Sequence, residues 1–371
     1  MFADRVARWC GPFPFDQNGF ARPGVLGHLS RGLGLTPGQA QAERNAEMSL
    51  QTDAGGLVMA ALTAGFAPSV QNTQPWRWRV VGATLELWAV RDRQLPITDP
   101  LGRLLTVSCG AALHHARIAL AADGWQVNVD RQPDPTQPDL LARISVAQPI
   151  ELTPAAVLLL QTARMRHTDR RPVADTPVDR AAIDQLQQVA DREGAHLHVL
   201  HRDDVIELAG AASRAQRVEE MDEAWAEELA YWAGGERREG LGVPDQVIPS
   251  TPPQTTVPDR HFPPTGMLPV GPGHDRDAVY AILYGDQDAS PDWLRTGEAL
   301  SAVWLEAMQR DLTVLPLSAA VEVPQTRQTL QRLLANLGQP FLALRIGVRT
   351  HHDEPPPTPR LPAEQTIEIV S

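Results

Sequence analysis

Twice in this chain a helical run ends on a glycine and passes directly into an alternating strand. The segment "CGAALHHARIALAADG", Cys109 to Gly124, leads into "WQVNV", and "VDRAAIDQLQQVADREG", ending at Gly194, leads into "AHLHVL". A glycine just past the last periodic residue adopts the left-handed conformation that closes a helix at little steric cost, so both endings read as C-caps. The recurrence predicts two copies of one supersecondary unit within a single chain, with Gly124 and Gly194 as equivalent positions.

The surrounding pattern fits a mixed α and β fold. "DAGGLVMAALTAGF" from Asp53 suits a short helix, and "WRWRVVGATLELWAV" alternates about Gly82 as a β-hairpin does. "LARISV", "AVYAILY" and "FLALRIGV" supply further strands, a third helix-to-strand passage ends in "VLPLSAAVEVP", and a helix is expected over roughly 325–337. Thr153-Pro154, Thr176-Pro177 and Ser290-Pro291 each offer a cap followed by proline at the first helical position. Residues 244–273 hold nine prolines in thirty positions and cannot be regular structure, so they form a linker or a long loop that covers a site. Residues 1–47 are weakly periodic and read as a loose N-terminal extension ahead of Met48.

A formal net charge of -12 argues against nucleic acid or an anionic membrane surface as the main partner, because both require a basic face. Any anionic ligand must then find a local basic island. Two cysteines, Cys10 and Cys109, build neither a disulfide framework nor a zinc site, which suits a reducing cytoplasm. The N-terminus lacks the apolar stretch of a signal peptide, and no apolar run of about 18 residues is evident, so the expectation is a cytoplasmic protein.

Arg164, Arg166, Arg170 and Arg171 form the basic island, with Thr168 among them. Guanidinium forks and a hydroxyl suit a phosphate, although a solvated helix end carrying cations that favour the macrodipole gives the same pattern. His196, His198 and His201 have a spacing that could hold metal, but ligand-like carboxylates are limited to Asp203 and Asp204. His114 and His115, adjacent in a helix, point to different faces and read as structural or exposed, as does the His351-His352 pair in the tail. Cys109 reads as a small buried hydrophobe, Trp76 and Trp78 as core residues sharing one strand face, and "GLG" at Gly32 to Gly34 is too little for a dinucleotide fingerprint.

Two motifs go further. The loop "APSVQNTQPWRW", Ala67 to Trp78, resembles the flavin-contacting "P-S-x-x-N-x-Q-P-W" loop of the FMN-dependent nitroreductase fold, and "RHTDR" at 166–170 resembles that fold's "R-x-S/T-x-R/K" element. The tail "PRLP" about Arg360 is similar to its C-terminal phosphate-binding segment. In ordinary members the arginine element precedes the Pro-Ser loop, and each flavin lies between two identical chains. Here the loop comes first and each motif occurs once, which resembles the Acg-like branch, where one chain mimics the whole dimer.

The resemblance implies an α+β nitroreductase-like fold with two pseudo-repeated halves in one chain, an internal pseudo-dimer. Residues 48–150 would form the first half, and 151–371 the second, with the arginine cluster, a Pro-rich lid at 244–273 and the tail. It implies FMN as cofactor and NAD(P)H as electron donor, with a nitroaromatic or quinone-like acceptor and a monomer holding one flavin. Arg166, Thr168 and Arg360 would hold the phosphate, and Arg170 would reach the ribityl chain or pyrimidine edge. Pro68, Ser69 and Asn72 would line the ring, while Leu317, Ser318 and Ala319 would place a backbone N–H near N5. No catalytic acid or base and no metal ligand is implied. Asp311 departs from the family pattern, standing where glycine is usual at a helix end. The alternative is a protein that sequesters FMN beneath a closed lid with little or no turnover.

Overall fold

The computed structural model describes residues 55–233, 240–262, 266–350 and 354–370, all within one compact unit, Ser49–Ser371. The expected extension at 1–47, Cys10, the "GLG" stretch, His351-His352 and residues 263–265 of the Pro-rich segment lie outside the described residues.

Helix α1 (Gly55–Ala64) leads to the hairpin β1 (Trp76–Val81) and β2 (Thr84–Ala89), whose turn uses Gly82 at φ 57°. Helix α2 (Arg103–Ala122) is followed by β3 (Trp125–Arg131) and β4 (Leu140–Pro149), and α3 (Pro154–Met165) then crosses to the second half. That half begins with α4 (Arg180–Arg192) and β5 (His196–Val199), continues through α5 (Arg202–Met221) and α6 (Glu223–Trp232), and resumes with β6 (Val279–Gly285). Helix α7 (Ser290–Gln309), β7 (Leu312–Leu317), the short α8 (Ala319–Glu322), α9 (Pro324–Leu333), β8 (Gln339–Val348) and β9 (Ile367–Val370) complete it.

One sheet has the order β3-β4-β2-β1-β9 and the other β5-β6-β8-β7. Matching β1, β2, β3 and β4 to β5, β6, β7 and β8 reproduces the same antiparallel neighbours in both sheets. The chain is an α+β internal pseudo-dimer. This matching corrects the expected equivalence of Gly124 and Gly194. Gly124 ends α2, whose counterpart α7 ends at Asp311, whereas Gly194 ends α4 and corresponds to the end of α1. Asp311 adopts φ 57° and Gly124 φ 83°, so the aspartate performs the same left-handed closure that glycine performs in the first half. Short polar side chains tolerate that region better than other non-glycine residues do.

Helices α2 and α7 cross at the centre. A Cβ at Gly110 would overlap the carbonyl oxygen of Leu294, and one at Gly297 would overlap that of Val107. Each glycine therefore meets the residue three before the other, a two-fold relation that only hydrogen side chains permit. Glu298, 0% exposed on α7, accepts from Arg117 Nη1 at 2.8 Å and Arg131 Nε at 2.7 Å, which ties the halves further. Helix α2 has the length and apolarity to cross a membrane, with a mean hydropathy of 1.3 over its best window, but 89% of that window is buried inside the protein. Its apolarity is that of a core helix packed on both halves.

Two local expectations shift. Helix α4 starts at Arg180 and is capped by Asp179, whose Oδ1 accepts from Ala181 N at 3.2 Å, in place of the Thr176-Pro177 pair. A carboxylate at the cap also meets the positive helix end favourably, which the threonine cannot do. The two central histidines are both buried and both reach Ser301 on α7, His114 Nδ1 at 2.8 Å and His115 Nδ1 at 3.1 Å, so neither is exposed and they do not diverge.

Candidate active site

The loop between α1 and β1 is held in a conformation that its sequence does not favour locally. Gln71, Asn72 and Gln74 have φ of 46°, 56° and 46°, and such residues cost roughly 1–3 kcal/mol each unless the surroundings fix them. Here the fixing is explicit. Asn72 Nδ2 donates to Gly242 O and to Pro359 O, both at 3.0 Å, and its Oδ1 accepts from Arg360 Nη1 at 3.0 Å. Gln74 Nε2 donates to Gly240 O at 2.6 Å, and its Oε1 accepts from Leu361 N at 3.0 Å. Asn72 and Gln74 thus fasten the loop to the turn before the Pro-rich segment and to the tail. The tail is brought there because β9 pairs in parallel with β1, from Trp78 with Ile367 onward.

Pro68, Ser69, Val70 and Gln71 form one wall of a cavity of about 130 Å³. Thr168 and Arg170 stand on another wall, and Leu317, Ser318 and Ala319 at the β7–α8 turn on a third. Leu104, Val107, Leu300 and Trp304 from the crossing helices make an apolar floor, and Val257, Pro258, Asp259, Arg260 and Phe262 of the Pro-rich segment close the space. Seven of the ten residues singled out in the sequence therefore line one cavity between the halves. The other three, Asn72, Arg166 and Arg360, lie outside its lining. Arg166 stacks on Trp304 with its Cζ 4.5 Å from the ring centroid, and Arg360 bonds to Asn72 at the end of the loop.

Charge makes this region unusual. Arg166 is 7% exposed, and its Nε and Nη1 are buried without partners; Arg360 Nε and Arg170 Nη1 are likewise unpartnered. No carboxylate lies within ion-pair distance of Arg166 or Arg360 among the described residues, whereas Arg170 has Asp259 at 3.9 Å. Burial pushes the Arg166 guanidinium down to about 9, with the charge of Arg360 adding to the effect, and burial alone pushes Arg360 down to about 10. Like charges held away from water without a counter-charge are costly. Arg171, by contrast, is engaged by Asp169 at 2.9 Å, and Arg345 by Asp275 at 2.9 Å and by Arg171 O at 2.7 Å. Those buried pairs hold the 169–173 segment against β8 and so aim the arginine element. Arg164 donates weakly to Thr63 at 3.5 Å from the exposed side of α3.

The site residue that sequence reasoning missed is Gln71. It fills an unspecified position of the loop motif, yet both its amide atoms are buried, unpartnered and in the cavity wall. A left-handed glutamine leaves no mark in local sequence. The closing residues Asp259, Arg260 and Phe262 were expected only collectively, as part of a covering loop. Cys109 is buried beside Pro75 O at 3.3 Å, and burial pushes its thiol well up, which fits an inert core residue. His196 is taken by Asp191 at 2.7 Å, and no group of three or more metal-ligating side chains occurs among the described residues.

No family model matches the chain. It is 38% identical over 309 residues, 81% of this chain and 88% of the relative, to "Putative NAD(P)H nitroreductase Rv3131" of Mycobacterium tuberculosis (strain ATCC 25618 / H37Rv). It is 33% identical over 308 residues, 82% of this chain and 92% of the relative, to "Putative NAD(P)H nitroreductase acg" of the same strain. The chain belongs to the nitroreductase family, in its Acg-like branch. Its likeness to solved nitroreductases is fainter: the FMN and NADPH-dependent enzyme NfnB from a sphigopyxis strain shares 15% identity over 57% of this chain and 97% of that one, with a TM-score of 0.37. For this nitroreductase the assignment rests on the two mycobacterial relatives.

Proposed function

We propose that this nitroreductase binds one FMN between its halves and uses it to carry reducing equivalents from NAD(P)H to a nitroaromatic or quinone-like acceptor. The observation that carries the reading is the buried guanidinium of Arg166 and the half-buried one of Arg360, both without a counter-charge among the described residues, beside a cavity whose apolar floor includes Trp304. Their donor set suits a phosphate, and the apolar floor suits a flat ring. When bound, FMN would supply the hydride chemistry, and the protein would supply orientation and charge. Arg166, Arg360 and Thr168 would hold the phosphate, and Arg170 would contribute positive charge nearer the ring. Pro68 and Ser69 would pack along the ring with Leu317, Ser318 and Ala319 opposite, while Asn72 would act indirectly by fixing Arg360 and the loop. The Gln71 amide would be free to meet a polar group of whichever substrate enters. Anaerobic addition of NADH or NADPH to the FMN-loaded protein should bleach its visible absorption, and a persistent oxidised spectrum with both donors would overturn the reductase reading.

A second reading, FMN sequestration, is favoured by the closing wall. Arg260 bonds to Glu322 and lies 3.4 Å from Glu219, all within a buried cluster, so the segment over the cavity is fastened. In that reading acceptors are excluded until the segment moves. Deleting residues 244–273 separates the two: newly gained NAD(P)H oxidation supports a lid, and unchanged behaviour removes it.

A further inference from the structure

Helix α2 carries a histidine with one nitrogen accounted for and one not. His115, 0% exposed on α2, has Nδ1 3.0 Å from Ala111 O and 3.1 Å from Ser301 Oγ. A carbonyl oxygen only accepts, so Nδ1 carries the hydrogen. The Ser301 hydroxyl is then left to donate to His114 Nδ1, 2.8 Å away. This fixes the neutral tautomer of His115 with a bare lone pair on Nε2, and that atom is buried without a partner. A buried orphan acceptor is unfavourable, and neutral imidazoles in such places await a donor or a proton.

Its surroundings indicate which. Ser301 and Trp304 are one helical turn apart on α7, so His115, held by Ser301, and Arg166, stacked on Trp304, share one side of that helix. Burial is the largest influence against the charged form of His115, and His114 on its own helix, Arg166 at the end of α3 and Arg360 in the tail add to it. No carboxylate is among them. Arg166 Nε, Arg166 Nη1, Arg360 Nε and His115 Nε2 are thus all unpartnered, and both arginines act on His115 as positive charges.

We propose that His115 is a third ligand of the anion held by Arg166 and Arg360, and that its Nε2 takes up a proton when that anion binds. Burial is the main influence that keeps the imidazole neutral; the anion neutralises the two guanidiniums whose fields add to it, and it offers an oxygen that a protonated Nε2 can meet. The balance is simple: one proton moves from solvent to the Nε2 lone pair, and no bond within the ligand changes. The consequence is coupling, because binding of a phosphate-bearing ligand becomes tighter as pH falls toward neutrality. The inference rests on the reading of FMN as the ligand.

The test compares FMN and riboflavin binding by fluorescence quenching, from pH 6.5 to 8.5, in the full chain and in His115→Asn. Asparagine retains a donor for Ala111 O but has nothing in place of Nε2. The expected result is a preference for FMN over riboflavin in the unsubstituted protein, and about tenfold weaker FMN binding in the variant near pH 7, as for loss of one charged hydrogen bond. That ratio should shrink toward one at pH 8.5. The phosphate's own titration is common to both proteins and cancels. FMN preference with a ratio of one at every pH overturns the His115 proposal alone. Equal binding of FMN and riboflavin overturns the phosphate reading, and His115 with it. If His115→Asn does not fold, calorimetry of the unsubstituted protein in two buffers of different ionisation enthalpy decides. Net proton uptake at pH 7.5 with FMN and none with riboflavin supports the proposal, and no uptake with FMN refutes it.

Discussion

At the scale of single residues, the site is a set of costs that the fold accepts. Arg166 is buried and Arg360 half-buried, with no counter-charge among the described residues, so replacing Arg166 should harm ligand binding and help the empty protein. Arg166→Met, which keeps the stem over Trp304, is expected to weaken FMN by about 1.5–3 kcal/mol while leaving the ligand-free protein as stable or more so. Affinity titration with FMN against riboflavin, together with thermal unfolding without ligand, checks both halves of that statement; equal losses for the two ligands would contradict it. Gln71→Gly should add about 1 kcal/mol in urea unfolding by releasing the left-handed strain at φ 46°. The arginines and the Pro-Ser loop were legible in the sequence because their residue types carry the chemistry. Gln71 was not, since nothing local forces a glutamine into that backbone region. The expected divergence of His114 and His115 failed because both reach Ser301, 186 residues from His115.

At the scale of elements, the segment over the cavity and the central helices respond to pH in opposite senses. Burial pushes Glu219 up to about 7, so the folded state binds its proton more tightly than the unfolded chain does, and stability rises as pH falls from about 7 toward 4.5. Burial pushes His114 down to about 3 and His115 also well down, so these remain neutral when folded, and stability falls as pH drops below 6.5. His114 contributes up to about 1.4 kcal/mol per pH unit in that window. Glu219→Gln removes the opposing gain, and its stability is therefore expected to fall more steeply than that of the unsubstituted protein between pH 6.5 and 4.5. Urea unfolding at several pH values reads this directly, and parallel curves would argue against it. Arg260→Ala strands Glu219 and Glu322 together and should cost about 3–5 kcal/mol near pH 8, with the covering segment cleaved faster by protease. Sequence identified this segment as irregular from its prolines, but the ion cluster that fastens it joins α5 and α8 to the segment and has no local signature. The α4 cap shows the same limit on a smaller scale, because Thr176 and Asp179 are both good caps and packing chooses between them.

At the scale of the whole molecule, the decisive feature is the crossing of α2 and α7, through which two halves become one body. Gly110→Ala or Gly297→Ala should lower stability by several kcal/mol, about the upper end for overpacking, because the added carbon meets backbone rather than a mobile side chain. The helix-glycine-strand repeat pointed to two similar halves, although its two copies are not equivalent positions in them. The pairing of its copies was misread, because glycine and aspartate can close a helix in the same way and because Gly194 sits at the end of a different helix. The matching also explains why one site is expected. The connection from α1 to β1, residues 65–75, carries the Pro-Ser loop, whereas its counterpart from α4 to β5 is only residues 193–195. The second half thus has no loop with which to build a second wall. The most direct measurement is the stoichiometry of FMN binding to protein whose mass in solution is determined at the same time. One FMN per 40.5 kDa chain, lost on substitution of Arg166 or Arg360, is the expected result. Two FMN per chain, or one shared between two chains, would contradict a single site built between the halves of one chain.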